Sequence, residues 1–162
     1  MTVQIDVIVA STLWSKTPEA EDAVRRAIAA SEIFFEPIEA EVSVLLCDDA
    51  EIRRLNARWR GKDAATNVLS FPAARQTAAE RHLGDIAVSY ETLAREASDE
   101  GKMIVHHLSH LTVHGYLHLL GFDQEADGEA DEMEGLEREI LAHLGIGDPY
   151  HAEIPGQGQS AG

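Results

Sequence analysis

Residues 106–124 run HHLSHLTVHGYLHLLGFDQ, and the fold is most legible from this stretch. His106, His110, His114 and His118 recur every four residues, the spacing that stacks side chains one turn apart on a helix face. Apolar residues fill much of the rest, so the segment predicts a helix over about 102–120. Gly121 is its natural stop, because glycine enters the left-handed backbone that turns the chain at no steric cost. Neighbouring imidazoles one turn apart can share a metal, and a zinc site wants a third ligand plus an open position for water. The turn at Gly121 lets position 124 swing back toward His114 and His118. The resulting spacing, H-x-x-x-H-x-x-G-x-x-X, is that of the extended zinc-peptidase motif. Those enzymes carry a glutamate directly after the first histidine as general base, and that position here is Gly115, which sets peptidase chemistry aside. His110 drifts by about 40° per four-residue step from its neighbours and makes a poor third member of a tetrahedral set. It is expected to support or pack, and His106 and His107 are expected at the surface or helix start.

Upstream of this helix the pattern changes. Residues 3–9 and 40–47 (AEVSVLLC) predict strands, as do TNVLSF (66–71), stopped by Pro72, and LGDIAVS (83–89). Thr17-Pro18-Glu19 offers an N-cap, a proline at the first helical position and an early acid, opening a helix to about Ser31. Asp48 with Glu51 has capping-box spacing for a helix ending near Gly61. Further helices are expected over about 90–98 and 128–143. Strands and helices first alternate and then helices dominate. This points to a single α+β domain, α/β-like at its start, with a small mixed four-stranded sheet, five to six helices and a metal site on the histidine helix. The domain is expected over 1–146. Residues 147–162, with Gly, Pro and Ser and few apolar side chains, are expected to form a flexible tail.

No apolar run approaches the roughly 20 residues of a membrane helix, so no membrane association is expected. The apolar N-terminal stretch has no basic residue ahead of it and suits a strand better than a signal peptide. Cys47 is the only cysteine, which rules out an intramolecular disulfide and favours a reducing cytoplasm; it is expected as a buried, inert thiol. The net charge of −16 opposes a broad nucleic-acid surface. Its distribution matters more: Arg53, Arg54, Arg58, Arg60 and Lys62 fall within ten positions, while nine acids crowd Asp123–Glu139. The basic segment is either a local phosphate site or a solvated helix face.

HGYLHLLGFDQ resembles the signature of the YbeY endoribonuclease family, H-G-x-L-H-L-x-G-aromatic-D-H. NARWRGKDAATNVLSFP (56–72) resembles that family's other hallmark, R-G-K-D-x-x-T-N/D-V-L-S-F-P, and LGDIAVS fits the strand that follows. The resemblance extends over about residues 3–145. It implies a metal-dependent endoribonuclease acting on single-stranded RNA, in maturation of the 16S rRNA 3′ end and in ribosome quality control. Ribosomal RNA, ribosomal proteins and an assembly GTPase are the partners it implies.

By the same resemblance one Zn2+ per chain is held by three histidines, of which His114 and His118 match two. The third falls on Gln124, whose neutral carbonyl oxygen is a weaker zinc ligand than imidazole. Three outcomes stay open: Gln124 ligates directly or through water, Asp123, Glu125 or Asp127 supplies the third ligand, or the metal is largely lost. Arg60 matches the arginine implied in RNA cleavage, and its always-charged guanidinium suits a bidentate grip on phosphate. Lys62 and Arg58 are expected to help bind substrate. Asp63, Thr66 and Asn67 are expected to shape the turn into the strand, and Ser70, Phe71 and Pro72 to be structural. The alternative, favoured by Gln124, is a noncatalytic ribosome-assembly binding factor with a weakened metal site.

Overall fold

Four strands, β1 (Val3–Val9), β2 (Ala40–Cys47), β3 (Val68–Pro72) and β4 (His82–Ser89), form one sheet in the order β1-β2-β4-β3. The structure is a computed structural model that describes residues 3–73, 82–122 and 127–150. β1, β2 and β4 run parallel, and β3 lies antiparallel on β4, so the sheet is mixed as the sequence pattern predicts. β3 continues through Pro72, which pairs with Gly84. Proline is tolerated there because β3 is an edge strand. Five helices follow the expected segments: α1 (Ala20–Glu32), α2 (Asp49–Arg60), α3 (Tyr90–Glu100), α4 (Ile104–Leu119) and α5 (Asp127–His143). A short 3-10 turn over Thr12–Lys16 is additional. None of the helices among the described residues is long and apolar enough to cross a membrane.

Alternation along β2 sends Val42, Val44 and Leu46 to one face, where they meet Ile86 and Val88 of β4, Val24 and Ile28 of α1, and Leu108, Leu111 and Tyr116 of α4. The other face carries Cys47, Leu69 and Ala87 under Ile52 of α2. On its far side α4 packs Val113 and Leu117 against Met133, Ile140 and Leu141 of α5. Each fully buried side chain of this size contributes about 1.5–3 kcal/mol. The helix is therefore apolar almost all round because it is covered almost all round, and its histidines occupy the strip left between neighbours.

Local signals explain the helix ends, with one exception. The Asp48 carboxylate accepts from the Glu51 amide at 2.9 Å, and Gly61 closes α2 at φ 71°. Gly121, at φ 106°, stops the chain after α4 as expected. Thr17, however, does not cap α1. The Glu19 position precedes the helix without a side-chain cap, and the Thr17 hydroxyl instead pairs with the Tyr90 hydroxyl at 3.1 Å. A hydroxyl that is buried in the fold satisfies itself across the core rather than on its own helix. Cys47 is buried, and burial pushes its thiol up to about 12, so it is inert.

Part of the expected tail is docked. Arg138 Nε donates to Asp148 Oδ2 at 3.0 Å, and Lys102 Nζ donates to the Pro149 carbonyl at 2.9 Å. Residues 151–162 lie outside the described residues.

Candidate metal centre

α4 presents His110, His114 and His118 along one strip, and α5 sets a single acid beneath them. Glu137 is fully buried and is the point where the two helices exchange polar contacts. Its Oε2 accepts from His114 Nδ1 at 2.8 Å, and its Oε1 accepts from His110 Nε2 at 2.8 Å and from the Tyr150 hydroxyl. Burial alone would raise this carboxyl, but the hydrogen bonds from His110, His114 and the Tyr150 hydroxyl bring it down to about 2. Glu137 is therefore an anion at neutral pH and can only accept. Burial lowers the His110 pKa and outweighs the pull of Glu137, which keeps that ring neutral. His110 Nδ1 and His107 Nδ1 are buried with no hydrogen-bond partner among the described residues.

These contacts fix the tautomers of the next two rings. His114 must carry its proton on Nδ1 to serve Glu137. His118 Nδ1 lies 3.0 Å from the Phe122 carbonyl oxygen, which can only accept, so that nitrogen is protonated too. In the neutral rings both Nε2 atoms are then lone-pair donors, and they face each other at 3.2 Å. Two lone pairs at this distance repel unless a proton or a cation lies between them. Two nitrogens bound to one tetrahedral zinc stand about 3.4 Å apart, so the pair fits a shared metal with little adjustment. The carboxylate behind His114 and the carbonyl behind His118 are the supports that metal-binding imidazoles use.

His110, His114 and Glu137 form a second group able to hold a metal ion, with donor atoms within 4.8 Å of one another. Its two nitrogen–oxygen contacts of 2.8 Å are hydrogen-bond lengths, shorter than the roughly 3.3 Å that a tetrahedral metal spreads between ligands. The lengths within this group are those of hydrogen bonds, while the His114–His118 nitrogens stand near the spacing of two ligands on one metal. Gln124, with Asp123 and Glu125, lies outside the described residues, and Asp127 is placed only as the first residue of α5.

His114 and His118 open onto a cleft of about 600 Å³ along the edge strand β3. Arg60 and Lys62, from the end of α2, line the same cleft, with Asn67 and Ser70. Arg60 Nη2 donates to the Ser70 carbonyl, and its guanidinium lies 5.6 Å from the Phe71 ring centre. The guanidinium thus covers the open edge of β3 and, among the described residues, is hydrogen-bonded through one nitrogen. Arg58 is not among the described residues of the lining; its guanidinium stacks 5.1 Å over the exposed Trp59 ring. Arg53 pairs with Asp63 and Arg54 with Glu51, so these two serve the surface of α2.

Asn67 and Ser70 do shape the approach to β3: Asn67 Oδ1 accepts from the Val68 amide at 2.6 Å, and the Ser70 hydroxyl donates to the Gly115 carbonyl at 3.3 Å. Gly115 itself has a packing reason. A Cβ there would come 3.1 Å from both Ser70 Oγ and Ile86 Cγ2, a tight fit that the two side chains would have to ease by a few tenths of an ångström.

His107 stands at the helix start, one of its two expected places, and not at the surface. It is buried at 4% exposure, and its Nε2 lies 2.9 Å from Glu96 Oε1, which also accepts from Asn67. Two further residues of the site, Glu137 and Tyr150, carry no motif. Glu137 had a signal nonetheless: it shares the apolar stripe of Met133, Ile140 and Leu141 and is the carboxylate on that stripe that is fully buried.

The profile of the family described as Endoribonuclease YbeY matches residues 10–145. A Bradyrhizobium sp. protein named Endoribonuclease YbeY is 57% identical over 153 residues, 90% of each chain. One of the same name from Rhodopseudomonas palustris is 55% identical over 152 residues, 90% of this chain and 88% of its relative. The solution structure of a Thermotoga maritima protein, 21% identical, superposes with a TM-score of 0.56 over 92% of this chain and 99% of that one, a likeness of fold.

Proposed function

The chain belongs to the endoribonuclease YbeY family, and on that footing we propose that its cleft cleaves single-stranded RNA with a metal held by His114, His118 and Gln124. The observation that carries this reading is the His114–His118 nitrogen pair, tautomerically fixed and opening onto the cleft that Arg60 and Lys62 line. A bound Zn2+ supplies a water of lowered pKa and Lewis-acid polarisation of a phosphate oxygen. His114 and His118 offer Nε2 lone pairs held in place from behind. Arg60 grips the scissile phosphate and stabilises the charge that develops on it, with Lys62 adding positive charge in the same cleft. The proposal extends, from the family resemblance, to 16S rRNA 3′-end maturation and ribosome quality control in the cytoplasm, with ribosomal proteins and an assembly GTPase as partners.

A second reading, a noncatalytic ribosome-assembly binding factor, is favoured by one observation: position 124 carries a neutral amide. One experiment separates the two. Untagged protein is assayed for bound metal by elemental mass spectrometry and for cleavage of defined single-stranded and duplex RNA. Wild type, His114→Ala/His118→Ala and Gln124→His are run side by side. Near-stoichiometric zinc and single-strand cleavage, both lost in the double variant, support the nuclease. No metal and no cleavage in wild type, both gained in Gln124→His, support the binding factor.

A further inference from the structure

The segment Asp148–Tyr150 lies beyond residues 10–145, the region that matches the family, yet it reaches the most buried acid of the site. Its docking uses several independent contacts. Asp148 is held by Arg138, the Pro149 carbonyl by Lys102, and the Tyr150 amide donates to Asp148 Oδ1 at 2.8 Å. Arg138 also stacks 5.6 Å from the Tyr150 ring centre, while that ring meets His110 edge-on at 5.3 Å. The outcome is a phenol delivered to Glu137 Oε1 from the chain's C-terminal side.

We infer that Tyr150 is a positioning residue for the metal centre, acting through Glu137 on His114. This rests on the assignment of His114 as a metal ligand. The carboxylate has two oxygens and three donors. His110 and Tyr150 saturate Oε1, which leaves Oε2 to His114 alone. The carboxylate cannot rotate without breaking bonds to α4 and to the tail together. Glu137 has no exposed surface, so these bonds are made out of water. The Tyr150 hydroxyl is pushed up by burial first and by the Glu137 bond next, so it stays a proton donor. Groups that hold a ligating imidazole from behind fix its tautomer and its aim, and their removal typically weakens metal binding 10–100-fold. Glu137 holds that place directly. Tyr150 holds it one bond further out and is joined to it by the tail.

The test is zinc affinity measured by competition with a chromophoric chelator on metal-stripped, full-length protein. Four proteins are compared: wild type, Tyr150→Phe, Glu137→Gln and the double variant. The Tyr150→Phe change keeps the ring on His110 and Arg138 and removes only the hydroxyl. Zinc affinity is expected to fall about three- to tenfold in Tyr150→Phe and about 10–100-fold in Glu137→Gln. Because Tyr150 acts through Glu137, the double variant should bind no more weakly than Glu137→Gln. The thermal midpoint of the metal-free protein serves as the second readout, since a merely structural residue lowers it and leaves zinc affinity alone. Wild-type zinc affinity in Tyr150→Phe overturns the inference. So does a tyrosine effect that adds in full to that of Glu137→Gln. Should Glu137→Gln fail to fold, the Tyr150→Phe affinity alone decides. A wild type that takes up no metal at all overturns the His114–His118 site, and this inference with it.

Discussion

Glu137 Oε2 accepts a hydrogen bond from His114 Nδ1 at 2.8 Å, joining residues 23 apart in sequence across the α4–α5 contact. This single bond decides which nitrogen of His114 faces the cleft. With Nδ1 committed to the carboxylate, Nε2 is turned toward His118 Nε2 at 3.2 Å. The histidine helix supplies the candidate ligands of the proposed site, and the acidic helix fixes how His114 is turned.

The two groups able to hold a metal make opposite demands on mutants. His118 belongs only to the pair that opens on the cleft, and His110 only to the Glu137 group. His118→Ala should lower zinc content to near zero, while His110→Ala should keep most of it and weaken affinity about tenfold, as loss of a supporting group does. Elemental analysis after dialysis against dilute zinc reads both. Full zinc in His118→Ala would place the metal on His110, His114 and Glu137 instead.

Gly115 occupies the place of the glutamate in zinc peptidases, and a side chain there would be tightly confined. Ser70 Oγ and Ile86 Cγ2 already stand where a Cβ would need room. Gly115→Glu would also bring a carboxylate into the α4–sheet contact. A loss of about 3 kcal/mol is expected, from overpacking and the burial of a charge together. A urea midpoint within error of wild type would show that α4 can lift from the sheet at no cost.

Much of this was legible in the sequence because it was local. The Asp48 cap, the glycine stops at 61 and 121 and the alternation in β2 are each decided within a few residues. The His114–His118 pair was legible for the same reason, since a four-residue spacing on a helix is a distance. What the sequence hid are meetings between distant segments. Thr17 looked like a cap until Tyr90 took its hydroxyl. His107 was expected at the surface or the helix start; it is at the start of α4, and what the sequence hid is that Glu96 meets it there. Glu137 was one acid in an acidic run, and only its place on the apolar stripe of α5 set it apart. Tyr150 sat in a segment whose composition suggests a free tail, and its docking depends on Lys102, between α3 and α4, and on Arg138 of α5.

Asp49 gives a pH-dependence with a definite sign. Its carboxyl would be raised by burial, but hydrogen bonds from Ser89 and Thr92 outweigh that and hold it below the usual range. A depressed carboxyl favours the fold above its unfolded-state value, about 3.9, and loses that contribution as pH falls through the lower folded value. Asp49→Asn should therefore cost about 1–2 kcal/mol at pH 7, from two hydrogen bonds to a charged acceptor. The gap to wild type should narrow as pH drops below about 4. Urea unfolding at several pH values measures it, and a gap that widens toward acid would refute the sign.

The lone thiol offers a check on the core. Cys47 is buried and its thiol is pushed up to about 12, so almost no thiolate exists at pH 8. Native protein should resist iodoacetamide over hours and react in full once unfolded in urea. Rapid labelling of the native state would mean that the α2 face of the sheet opens readily.

Arg60 carries the last and most functional expectation. One of its nitrogens is tied to the Ser70 carbonyl, so the guanidinium is aimed before any substrate arrives. Lysine cannot reproduce this, because a single ammonium cannot hold the strand edge and present a fork to phosphate together. Arg60→Lys and Arg60→Ala should both reduce RNA cleavage about 10²–10³-fold, the usual effect of removing a donor aimed at developing charge. Stability should change by about 1 kcal/mol, the worth of one part-buried hydrogen bond. Salt gives an independent reading. If Arg60 and Lys62 neutralise two phosphates, log K against log salt should fall with a slope of about −1.4, and Arg60→Ala should reduce it by about 0.7. Such a shallow slope suits a chain of net charge −16, whose remaining surface repels RNA. A slope several times steeper would require a basic surface beyond this cleft. Unchanged cleavage in Arg60→Ala would remove the guanidinium from the reaction.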